Sequence, residues 1–79
     1  MKLQVLGMGC QKCRKLYEGV EKAIGELELQ DVELVKVEDL NDIAAMGAML
    51  TPALAMDGNI VVSGRVPSIE EIKKLLANR

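Results

Sequence analysis

From Cys13 onward the apolar side chains fall at Leu16, Tyr17, Val20, Ala23, Ile24 and Leu27, a three-and-four spacing that lines one face of a helix over about residues 11–27. An alternating segment, 2–6, precedes it, and a β-branched run, 32–37, follows it. Two strands joined through a helix lie parallel in one sheet, with a right-handed crossover. That unit narrows the possible folds more than any other feature of the chain. At 79 residues there is room for one domain, and with no Trp or Phe its core has to come from Leu, Val, Ile, Ala and five Met.

The second half extends the pattern. Asp39 or Asn41 caps a second helix that runs through Ile43 and Met46 to about residue 50, where Thr51-Pro52 stops it. Apolar runs 53–56 and 60–62 flank Asp57-Gly58-Asn59, a hairpin signal. Ser68 and Glu71 form a capping box for a last helix with Ile69, Ile72, Leu75 and Leu76 on one face. The expected order is β-α-β-α-β-β-α, an α/β fold with a mixed four-stranded sheet flanked by helices. Met46, Met49 and Met56 read as core, as does Tyr17, whose alternative is an active-site hydroxyl one turn below Cys13. Arg65 either meets an acidic partner or is merely solvated, and the second is the expectation.

Composition removes several chemistries. Two cysteines and no histidine exclude Cys–His and Ser–His catalysis, and supply only half of a tetrahedral zinc site. The net charge of −2 divides unevenly: residues 26–42 carry seven acids against one base, and residues 10–24 carry four bases against two acids. A basic face with aromatic stacking groups is missing, so no nucleic-acid partner is expected. The longest near-apolar stretch, 43–56, falls short of the ~20 residues of a membrane span and is broken at Pro52. With no secretory signal pattern at the start, the expectation is a cytoplasmic monomer without membrane contact. In that compartment a close cysteine pair is more often catalytic or metal-binding than structural.

That pair is Cys10-Gln11-Lys12-Cys13, at the point where a strand ends and the long helix begins. Unsatisfied N–H groups and the positive end of the helix dipole favour thiolate at the first cysteine, and Lys12 and Arg14 add charge beside it. Three readings meet here: a reversible dithiol, a structural bond or inert pair, and a metal site. The run Gly7-Met8-Gly9-Cys10-Gln11-Lys12-Cys13 resembles the Met-x-Cys-x-x-Cys loop of heavy-metal-associated domains such as copper chaperones, which implies Cu(I) on Met8, Cys10 and Cys13. Up to residue 38 the dithiol and metal readings are not separable.

The second half separates them. The copper fold, βαββαβ, ends on a strand and has no role for Thr51-Pro52, whereas this chain follows its second strand with a helical pattern and ends on a capped helix. With Cys10-Gln11-Lys12-Cys13, Thr51-Pro52-Ala53-Leu54 and the run 58–67 before the last helix, the chain resembles the small, glutaredoxin-sized thioredoxin-like proteins known as redox-active disulfide proteins. The resemblance covers nearly all of it and implies one thioredoxin-like domain over 1–79. It also implies a protein disulfide oxidoreductase with no cofactor besides a Cys10–Cys13 disulfide. Cys10 is then the nucleophile, Cys13 the resolving thiol, and Gln11 and Lys12 the modulating pair. Thr51, in a cis bond to Pro52, and Gly64 wall the substrate groove. Protein disulfides and a thioredoxin-reductase-like or other electron donor are the implied partners. The usual Trp-Cys-Gly-Pro-Cys is absent, as is a Tyr beside the first cysteine, so redox potential and glutathione dependence do not carry over.

Overall fold

In the computed structural model, which describes residues 1–78, the elements run β1 (Lys2–Leu6), α1 (Gln11–Glu26), β2 (Glu33–Val37), α2 (Leu40–Ala45), β3 (Ala53–Met56), β4 (Asn59–Ser63) and α3 (Ile69–Ala77). The strands form one sheet in the order β2-β1-β3-β4. β1 pairs parallel with β2, in the register Leu3 with Leu34 and Leu6 with Val37, as the connecting helix requires. It pairs antiparallel with β3, which turns into β4. This is the mixed-sheet α/β architecture expected from the pattern.

Alternation along the strands divides the core in two. Leu3 and Val5 of β1, Leu54 of β3 and Val62 of β4 pack with Leu16, Val20 and Ala23 of α1 and with Ile72 and Leu76 of α3. Leu6, Ala53 and Ala55 form a smaller cluster with Ile43 of α2. The helix stripe read from the sequence is therefore the face of α1 that covers the sheet. Lys73 of α3 reaches Glu26 of α1 at 3.0 Å and ties the two helices together at their surface.

Turn chemistry sets the boundaries. Asp57 and Gly58 both have positive φ, 49° and 88°, and form the two-residue primed turn that the twist of a hairpin favours. β4 accommodates one extra residue between the pairs Leu54–Val62 and Ala55–Ile60, leaving Val61 in a bulge. α1 closes with Leu29 N–H donating to the Ile24 carbonyl and Glu28 N–H to that of Gly25, with Glu28 in the left-handed region at φ 53°.

Several expectations need correction. α2 is capped by Asp39, whose carboxylate accepts from the N–H groups of Asn41 and Asp42, but it ends at Ala45 and not near residue 50. Gly47, at φ 83°, closes it with the same double hydrogen-bond pattern as α1. Met49 consequently lies in a connecting loop, 93% exposed, and is no part of the core; Met46 and Met56 are half-buried. Ser68 accepts from Glu71 N–H at 3.1 Å as an N-cap, yet Glu71 does not reach back to complete the box. Its carboxylate takes both terminal nitrogens of Arg65, so Arg65 is a paired cation.

Candidate functional site

The first turn of α1 presents the two cysteines very differently. Cys10 is the N-cap, extended in backbone and exposed, and its sulfur accepts the N–H of Cys13 at 3.4 Å. Cys13 starts the apolar stripe that continues to Leu16 and Val20, and only 6% of it is exposed. The sulfurs lie 2.8 Å apart, close enough for one thiol to donate to the other. That hydrogen bond, followed by the backbone N–H groups of Cys13 and Lys12, holds the Cys10 thiol below its ordinary range. Burial pushes the Cys13 thiol up, and the Cys10 sulfur beside it adds to the rise. Gln11 and Lys12 are both exposed, and the Lys12 backbone N–H is among the groups that lower the Cys10 thiol.

What lies opposite the pair follows from Gly7. β1 and β2 carry their parallel ladder one residue further, with Gly7 N–H donating to the Val37 carbonyl at 3.0 Å. A Cβ at Gly7 would stand 2.1 Å from Cys13 Sγ and 3.9 Å from Pro52 Cα. Gly7 is thus the point where the cysteine helix and the proline loop converge on the end of β1. Pro52 is buried, Thr51 beside it is exposed, and the bond between them is cis.

The proline loop is held from β4. Gly64 N–H donates to the Pro52 carbonyl at 2.9 Å, and Ser63 Oγ donates to the Leu50 carbonyl at 3.2 Å. Gly64 has φ +77°, and a Cβ there would come within 3.1 Å of the Leu50 Cβ. Its contacts are with the loop that carries Pro52. Exposed apolar side chains precede both segments in the chain, Met8 before Cys10 and Met49 and Leu50 before Thr51.

Three residues at the site, Gly7, Lys36 and Glu38, were not singled out by the sequence. Gly7 follows the apolar strand directly, a placement that also marks a close approach. Tyr17 is half-buried against the main core, with Lys36 Nζ 4.7 Å from its ring centre, and it lines a pocket together with Cys13. Glu38 stands over Gly9, its carboxylate 3.1 Å from where a Cβ would be. No sequence spacing links Tyr17, Lys36 and Glu38; the parallel pairing of β1 and β2 brings them together.

Comparison with known proteins gives a consistent result. Residues 1–77 match the thioredoxin domain family. A protein named thioredoxin from Methanocaldococcus jannaschii is 47% identical over 74 residues, spanning 94% of this chain and 84% of its own. Another of that name from Methanothermobacter thermautotrophicus is 40% identical over 77 residues, or 98% of this chain and 99% of its own.

Proposed function

The chain belongs to the thioredoxin domain family, and from that we propose that it is a small thiol–disulfide oxidoreductase working on protein disulfides. The observation that carries the reading is the asymmetry of the pair: an exposed, thiolate-favouring Cys10 at the helix N-cap against a shielded Cys13 with the opposite tendency.

The Cys10 thiolate attacks one sulfur of the partner's disulfide; a mixed disulfide forms and the partner's other sulfur leaves as thiolate. Cys13 then gives up its proton and attacks Cys10 Sγ. The partner's second thiolate leaves, and the chain is left with a Cys10–Cys13 disulfide. No cofactor enters this exchange. The backbone of Thr51 pairs with the extended substrate segment as an added strand would, and Pro52 and Gly64 shape the groove. A thioredoxin-reductase-like or other electron donor returns the disulfide to the dithiol. We place the protein in the cytoplasm, acting as a monomer of one thioredoxin-like domain. Among the described residues no helix is long and apolar enough to cross a membrane.

The test is reduction of insulin disulfides, paired with capture of partners. The wild type should catalyse the reduction, and Cys13→Ser should accumulate stable mixed disulfides with protein partners. Cys10→Ser should capture no protein. Absence of catalysis, or capture by the Cys10 variant, would defeat the assignment. A second reading, Cu(I) delivery through Met8, Cys10 and Cys13, draws on an exposed Met8 in the same loop as the two thiols. Measuring Cu(I) affinity and disulfide potential in one buffer decides between the two.

A further inference from the structure

Next to the cysteine pair is a pocket of about 260 Å³ that the exchange above does not use. Val5 and the Tyr17 ring supply its apolar lining, and Gly7 and Gly9 form part of its wall. Its charged groups are Arg14, Lys36 and Glu38, two cations against one carboxylate. The Tyr17 ring positions one of the cations, with Lys36 Nζ 4.7 Å from its centre. Cys13 lines the pocket and Cys10 does not.

We propose that this pocket admits a low-molecular-mass anionic thiol, which reduces the Cys10–Cys13 disulfide by attacking Cys13 instead of Cys10. The proposal rests on the redox reading of the pair.

Three considerations lead there. The first is direction. Thiol–disulfide exchange passes through three sulfurs in line, so a thiol that expels Cys10 has to reach Cys13 from the side away from Cys10. The pocket borders Cys13 without bordering Cys10, and Cys13 Sγ lies against the bare Gly7 backbone in its wall. The second is the leaving group: exchange is faster when the departing thiolate is the more stable one. Cys10 is that sulfur, because the N–H of Cys13 and the end of α1 receive its charge. The third is size and charge. Since a water takes about 30 Å³ in the liquid, the pocket holds a ligand of several heavy atoms and excludes a folded partner. A carboxylate on that ligand finds Arg14 and Lys36. Protein partners therefore exchange at Cys10, and small anionic thiols have a second port at Cys13.

The chemistry balances. A small thiolate bonds to Cys13 Sγ as the Cys10–Cys13 bond breaks, and the electron pair leaves on Cys10. A second small thiolate attacks the ligand's sulfur in the mixed disulfide and releases Cys13 as thiolate, which takes a proton from water. Two small thiols are oxidised to one small disulfide, and the protein disulfide is reduced to the dithiol.

The experiment reduces the oxidised wild-type protein with mercaptoacetate, 2-mercaptoethanol and cysteamine, each rate normalised to that thiol's rate on an uncharged small disulfide. Mercaptoacetate should outrun cysteamine by about tenfold, the scale of charge focusing in a cleft. Arg14→Gln with Lys36→Gln should remove most of that preference, and Glu38→Gln should increase it. Lys15→Gln with Lys22→Gln, the same charge change on α1 outside the pocket, should leave it in place. In Cys10→Ser, dithiodiglycolate should form a mixed disulfide on Cys13 faster than cystamine does, located by peptide mapping. Equal normalised rates would overturn the proposal. So would a preference that falls with Lys15 and Lys22 but not with Arg14 and Lys36. Either result with insulin reduction intact removes the second port alone, whereas loss of insulin reduction removes the redox reading beneath it.

Discussion

Gly7 concentrates the constraints on the site in one missing side chain. Its φ lies outside the left-handed region, so it is not needed for backbone freedom; it is needed because Cys13 Sγ occupies the space where a Cβ would be, at 2.1 Å. Gly7→Ala should therefore push the cysteine helix off the end of β1, costing about 1–3 kcal/mol in a urea unfolding curve, as overpacking does. Insulin reduction should fall with it. The two thiols make a separate prediction. Iodoacetamide reacts with thiolate, so Cys10, held below the ordinary thiol range and exposed, should be alkylated at a pH where a free thiol, with a pKa of about 8.5, is still mostly protonated. Cys13, raised by burial, should lag at every pH, and mass spectrometry of the quenched digest reads the order. Equal labelling of the two would remove the roles assigned to them. The lowered Cys10 thiol was legible because a cysteine at a strand–helix junction has direct electrostatic consequences. Gly7, Glu38 and the Arg65–Glu71 pair were not, since each depends on a partner brought near by folding.

At the scale of elements, caps decide where structure stops. Ser68→Ala removes the acceptor for Glu71 N–H and should cost about 1 kcal/mol, measured as a lower denaturation midpoint. The end of α1 is less well served, because Glu28 holds a left-handed conformation that glycine adopts freely. Glu28→Gly should relieve that strain and, after the extra freedom glycine gives the unfolded chain, stabilise by about 0.5 kcal/mol. Nothing in the sequence marked Glu28 as a helix terminus, which is why α1 was expected to run a residue too far. α2 is the opposite case. Its stop was written at Gly47, but the apolar run beyond it, through Met49 and Leu50, read as a continuing helix. Met49 and Leu50 stay exposed in the loop before Thr51, and apolar residues left on the surface are where hydrophobic patterning misleads.

For the whole molecule, the order of elements settled the architecture: a helix between the first two strands made them parallel, and a hairpin made the last two antiparallel. Sheet order and the sides taken by α2 and α3 came only with the structure. The same view bears on what the Cys10–Cys13 bond does for the fold. A cross-link closing so short a loop is worth about 2 kcal/mol on the chain-entropy relation. Against it stands the stabilisation that the reduced protein draws from Cys10. That group's folded pKa lies below its unfolded value, so the reduced protein gains stability as pH rises through the interval between the two, and keeps it above the unfolded value. Cys13 acts in the opposite sense: its pKa is raised, so its contribution is full below the unfolded thiol value and is lost as pH climbs through the folded one. The oxidised protein has neither titration. Denaturant unfolding with and without reductant should accordingly show a modest difference at acidic pH. That difference should narrow as pH rises toward the unfolded thiol value, where Cys10 has ionised and Cys13 has not. Collapse of the fold on reduction would make the bond structural. A difference that widened over that interval would mean that Cys10 is not the stabilised thiolate.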